Sequence, residues 1–129
     1  MRNYYVNEGN KIGGQEPQAL GTDQKRIKAS AAITKGQLVE VSGQWTLAPA
    51  SEDSVKVVGV AFLDAEIGEN VSIDTEGFVK MDFTGTVNPG DKLVSAGAGK
   101  VKAKASSTGD VIGTAYATDG TVVYTKITL

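Results

Sequence analysis

The chain nearly repeats itself at a fixed offset of 54 residues. Ile33-Thr-Lys-Gly36-Gln-Leu-Val39 lies over Val87-Asn-Pro-Gly90-Asp-Lys-Leu93. At the same offset Gly43 falls on Gly97, Leu47 on Val101, Val58 on Ile112, Gly59 on Gly113, Ala61 on Ala115 and Ile73 on Ile127. Extended backwards, Ile27 falls on Met81 and Ala29 on Phe83. Glycines are placed by backbone geometry, in turns or at close approaches. Glycines matched without a gap therefore predict two copies of one β unit with the same turns, about 25–75 and 79–129. Residues 1–24 fall outside the pattern.

The local signals agree with short strands. Ile27, Ala29, Ala31 and Ile33 alternate with more polar positions, and so do Val79, Met81 and Phe83. Strands are expected at Gln37–Val41, Trp45–Leu47, Val55–Leu63, Leu93–Val94, Val101–Ala103, Val111–Ala117 and Val122–Leu129. A short strand is expected at Val71–Ile73, ending in a turn at Glu76-Gly77. Asn88-Pro-Gly-Asp91 and Asp119-Gly120 are strong turn signals. Pro49 argues for a loop over Ala48–Asp53, and Gly59 within its strand for a bulge or a close backbone crossing. About ten short strands point to an all-β fold, a small β-barrel or β-tulip closed by the two pseudo-repeats, with an extended N-terminal arm.

At 129 residues one β-barrel body (25–129) plus a flexible arm (1–24) is expected. The charge of −2 gives no bulk attraction to nucleic acid or an anionic membrane, and no apolar run is long enough to span a bilayer. No apolar core of signal-peptide length opens the chain, so synthesis in the cytoplasm is expected. Cysteine and histidine are absent, which removes thiol chemistry, the commonest metal ligand and the commonest neutral-pH base. No enzyme activity, cofactor or metal site is expected. The acidic residues Asp64, Glu66, Glu69, Asp74 and Glu76 lack the ligand spacing of a calcium loop and read as a solvated face. Lys100, Lys102 and Lys104 read first as guards of an edge strand and second as an acidic-partner contact.

Tyr4, Tyr5, Val6 and Ile12 are the substantial apolar anchors of the arm, and Lys25 with Arg26 forms a basic patch at its root. These six are the candidate contacts for a partner. Trp45 reads as a core or subunit-contact residue, and a sugar platform is its competing reading.

The run Ala32-Ile-Thr-Lys-Gly36-Gln-Leu-Val39-Glu-Val-Ser-Gly43-Gln-Trp45-Thr-Leu-Ala-Pro49-Ala, followed by Val57-Val-Gly59-Val-Ala61, resembles the small capsid decoration, or cement, proteins of tailed bacteriophages. Gly77-Phe-Val79, Val87–Leu93 and Val111-Ile-Gly-Thr-Ala115 keep to that pattern. The resemblance implies a β body on the outer capsid surface, bound to the major capsid protein. It implies a homo-oligomer, with a trimer favoured over a dimer, and an arm that docks by strand addition. Three other readings stand beside it: a head-fibre base or tail accessory protein, a carbohydrate-binding β module using Trp45 and the tyrosines, and a carboxylate enzyme of β-clip type.

Overall fold

The computed structural model describes residues 27–129, which form ten strands and no helix. The first sheet holds β1 (Lys28–Ala29), β2 (Leu38–Gly43), β3 (Thr46–Pro49), β4 (Val57–Ala61) and β5 (Ile73–Asp74), in the order β1-β3-β2-β4-β5. The second holds β6 (Glu76–Asp82), β7 (Lys92–Gly97), β8 (Lys100–Ala103), β9 (Gly113–Asp119) and β10 (Val122–Thr128), in the order β6-β10-β9-β7-β8. The fold is all-β, as expected, and the chain passes from one sheet to the other at Thr75. The expected arm residues Tyr4, Tyr5, Val6 and Ile12, and the patch Lys25 and Arg26, lie outside the described residues.

The repeat is written in hydrogen bonds. Gly36 N donates to Ala61 O at 2.9 Å, and Gly90 N to Ala115 O at 2.8 Å. Ala61 N donates to Gln37 O, and Ala115 N to Asp91 O, both at 2.8 Å. In each turn a side-chain oxygen, Gln37 Oε1 or Asp91 Oδ2, accepts from the backbone N–H three residues earlier at 2.8 Å. Gly36 and Gly90 hold φ of +91° and +93°, the left-handed region that glycine enters without a Cβ penalty. The matched Gly59 and Gly113 serve packing instead. A Cβ on Gly59 would meet Asp74 O at 2.8 Å, and one on Gly113 would collide with Lys126 O. Both mark the same close crossing, β4 on β5 and β9 on β10. The β1–β3 parallel pairing also returns: Ala29 faces Leu47, and 54 residues on a parallel bridge joins Phe83 to Val101. That bridge brings β6 to β8, the two ends of the second sheet, so the sheet curls on itself.

Each unit encloses equivalent positions. Ala29, Ile33, Val39, Leu47 and Ala61 are buried in the first, with Val58 and Ile73 packed against them. Phe83, Val87, Leu93, Val101, Ala115, Ile112 and Ile127 take those places in the second. The units then join asymmetrically. Leu38 and Val60, register partners on β2 and β4, are fully buried in the second unit's core cluster along with Ala50. β2 is therefore buried on both faces, Val39 into its own unit and Leu38 across the junction. Burying such side chains is worth about 1.5–3 kcal/mol each. At the counterpart positions the second unit carries Lys92 and Thr114, whose side chains bond each other at 3.0 Å.

Backbone and charge complete the junction. The β7–β8 hairpin lodges against loop 50–54: Gly99 N donates to Ala50 O (3.1 Å), Asp53 N to Ser95 O (3.0 Å) and Leu38 N to Gly99 O (2.8 Å). Buried Ser95 donates its hydroxyl to Ser51 O at 2.6 Å. Glu40 braces the loop by accepting from Ser51 N at 3.1 Å. Burial pushes the Glu40 carboxyl up, but hydrogen bonds from Ser54 and Ser51, with Lys56 nearby, hold it below its ordinary value. Lys102 bridges Glu52 at 3.0 Å and Asp53 at 3.1 Å.

Three local expectations are corrected. The strand expected over Ile27–Ile33 shrinks to Lys28–Ala29, because Ile33 instead exchanges both backbone bonds with Ala65. Pro49 ends β3 rather than opening a loop; its missing donor costs nothing there, since β1 reaches only Thr46 and Leu47. Glu76-Gly77 is not a turn but the start of β6, paired with Thr128 and Ile127.

Thr125 is fully buried at the β10 bulge, and its hydroxyl has no partner among the described residues. The first unit carries Val71 at that position. Thr125→Val is expected to raise stability by about 1 kcal/mol, the cost of an unpaired buried hydroxyl, read as a higher urea midpoint at unchanged m. The Ser107 hydroxyl and then Lys102 hold Asp53 below its ordinary value of 3.8, so its contribution is present above that pH and lost as pH falls through the lower folded value. Hydrogen bonds to Glu52 and Asp53 hold Lys102 above 10.5, so its contribution is present below that pH and lost as pH rises through the higher folded value. Melting curves of wild type and Asp53→Asn should therefore differ across the neutral range and converge below pH 3.8.

Candidate docking surfaces

The first candidate surface is the tip of the β2–β3 hairpin. Val41 through Trp45 are all exposed, and a register shift at Gly43 bends the strand pair. Trp45 is 48% exposed and holds φ of +62°. That conformation costs a non-glycine residue about 1 kcal/mol, and its counterpart in the second unit is Gly99. Trp45 O accepts from Lys28 N at 3.0 Å, which sets the tip beside exposed Ile27, the first described residue. The predicted contact Trp45 thus stands beside the start of the described residues.

The second surface is the outer face of β6, β10 and β9. Along β10, Val123, Thr125 and Ile127 point inward, which turns Tyr124 and Lys126 outward. Phe78 on β6 meets Tyr116 on β9 edge to face, with ring centroids 5.2 Å apart and planes at 71°. Tyr124 lies opposite Lys80, and Lys126 opposite Phe78. Sequence reading did not single out Phe78 or Tyr116. The signal was there: inward Val79 and Ala115 fix their neighbours as outward.

The lysine stripe splits. Lys100 is exposed on β8, an end strand of its sheet, where an edge guard belongs. Lys102 is held by Glu52 and Asp53, and Lys104 donates to Ser107 O at 2.8 Å. Lys35, Lys80, Lys100 and Asp82 line an open groove of about 320 Å³ at the junction. Two of the five acidic residues serve local structure: Asp64 accepts from Lys35 N at 2.7 Å and Glu69 from Glu66 N at 2.8 Å. Among the described residues no three acidic side chains gather as a cation site would require. The surface can offer aromatic faces, lysine ammonium groups and strand edges.

A family model described as phage cement protein matches residues 19–127. The fold is similar to the crystal structure of the head fiber gp8.5 N base in bacteriophage phi29, with a TM-score of 0.59 and 19% identity over 81% of this chain and 92% of that one. No curated protein matches the sequence.

Proposed function

The chain belongs to the phage cement protein family and is a structural protein of the phage virion; on that premise we propose that it binds the outside of the capsid and stabilises the expanded shell. The family match, which spans both β units and the junction between them, carries this reading. The mechanism is linkage. A protein that binds the expanded shell, and not its unexpanded form, favours the former by mass action, without catalysis. The protein is made in the host cytoplasm and works on the outer capsid surface.

The partner is the major capsid protein. Residues 1–24 act as the docking arm, with Tyr4, Tyr5, Val6 and Ile12 as apolar anchors and Lys25 and Arg26 as charged contacts at its root. Backbone pairing of such an arm with a capsid strand supplies affinity, and several arms on one oligomer multiply it. The body suits this role because the root is fixed: Lys28 pairs with Thr46 and bridges Asn70. The favoured oligomer is a trimer, with a dimer as the alternative. A second reading, a head-fibre base, draws on the fold likeness to the phi29 head fiber base.

Deleting residues 1–20 is expected to abolish co-sedimentation with expanded capsids while leaving the body's melting temperature within about 2 °C, since residues 29–127 supply both described cores. Unchanged co-sedimentation would remove the arm from the mechanism.

A further inference from the structure

Within each chain the β7–β8 hairpin, Ser95–Gly99, is seated against loop 50–54. The contact buries Ser95 and Gly99 and pairs Glu52 with Ala96. The repeat supplies a second copy of both halves. Shifting by 54 residues, the hairpin becomes Val41–Trp45 and the loop becomes Lys104–Thr108. Among the described residues the hairpin bonds only within its own unit, and the loop reaches the other unit through Ser107, whose hydroxyl donates to Asp53 Oδ1. All of Val41–Trp45 is exposed, and so are Ala105, Ser106 and Thr108. The loop and Lys102 border an open hollow of about 360 Å³.

We propose that copies of this chain associate head-to-tail, the Val41–Trp45 hairpin of one copy seated against the Lys104–Thr108 loop of the next. The occupant is a second copy because the contact continues one that the fold already makes. Each chain presents one open hairpin and one loop whose outer residues Ala105, Ser106 and Thr108 are open, so the ends match. Trp45 explains itself in this setting. Its counterpart Gly99 sits close against Gln37, where a Cβ would come within 2.6 Å of Gln37 Cβ. The counterpart of Gln37 is the shorter Asp91, and that of Ala50 is Lys104. The shorter side chain leaves room for an aromatic ring, and a lysine offers a cation to its face. The left-handed backbone of Trp45 is then a strain retained for a contact between copies. A head-to-tail contact closes into a ring when its rotation permits. Three two-unit chains would give a ring of six β units. The inference rests on the oligomer in the reading above and not on capsid binding.

The absence of native cysteine makes cross-linking a direct test. A Cβ on Gly97 would lie 3.7 Å from Glu52 Cβ, inside the disulfide range. The counterparts are Gly43 and Ser106. Gly43→Cys and Ser106→Cys are purified separately in reduced form, mixed, and oxidised. A covalent dimer is expected from the mixture and not from either variant alone. A mixture that stays uncross-linked, or a single variant that links to itself as readily, overturns the proposal. Trp45 is the only tryptophan, so its fluorescence reads the same contact. Emission of the wild type should shift to the blue as concentration rises, and that of Ser106→Arg should not; a wild-type emission independent of concentration overturns the proposal. Cross-linking is expected to survive deletion of residues 1–20, which separates failure here from failure of arm docking.

Discussion

The seating of the β7–β8 hairpin against loop 50–54, with Leu38 and Val60 buried beneath it, is the contact on which the rest of the body depends. Either unit alone is small for a stable core. The first encloses mostly alanine and valine, with Ile33 and Leu47 as its largest fully enclosed side chains. The junction adds a second apolar layer that neither unit could make alone. It also fixes which faces stay open. Leu38 and Val60 make the first unit's outer face sticky, while Lys92 and Thr114 make the equivalent face of the second unit wettable. The repeat is thus two copies of one unit and not the start of an open array built through that face.

Much of this was legible because the offset carries geometry, not just composition. Gly36 and Gly90 could be read as equivalent turns, and the structure gives them the same φ and the same bonds. Gly59 could be read as a close crossing, and Gly113 repeats it. The misreadings share one cause: strand pairing is non-local. Alternation over Ile27–Ile33 promised a strand, but whether it pairs depends on Ala65, more than thirty residues away. Gly77 looked like a turn because its partners on β10 lie some fifty residues ahead. The candidate docking surfaces were half legible. Trp45 stood out as the one tryptophan. Its backbone strain did not, and the pairing of Phe78 with Tyr116 needed the β6-β10-β9 order.

A cement must hold its own shape while lending affinity to something else. In this chain the two tasks fall on different residues. Small aliphatic side chains and paired backbone build the body, and long-range bonds such as Lys102 to Glu52 and Asp53 lock its halves. The aromatics Trp45, Phe78 and Tyr116 are exposed instead. Their place is at surfaces where another chain can cover them.

The most direct measurement is saturation of undecorated, expanded capsids with the purified protein, counting bound copies per particle and the temperature at which the shell opens. The account predicts saturation at a copy number that scales with the capsomers, in multiples of three, and a higher opening temperature. A handful of copies per particle with no change in that temperature would contradict it.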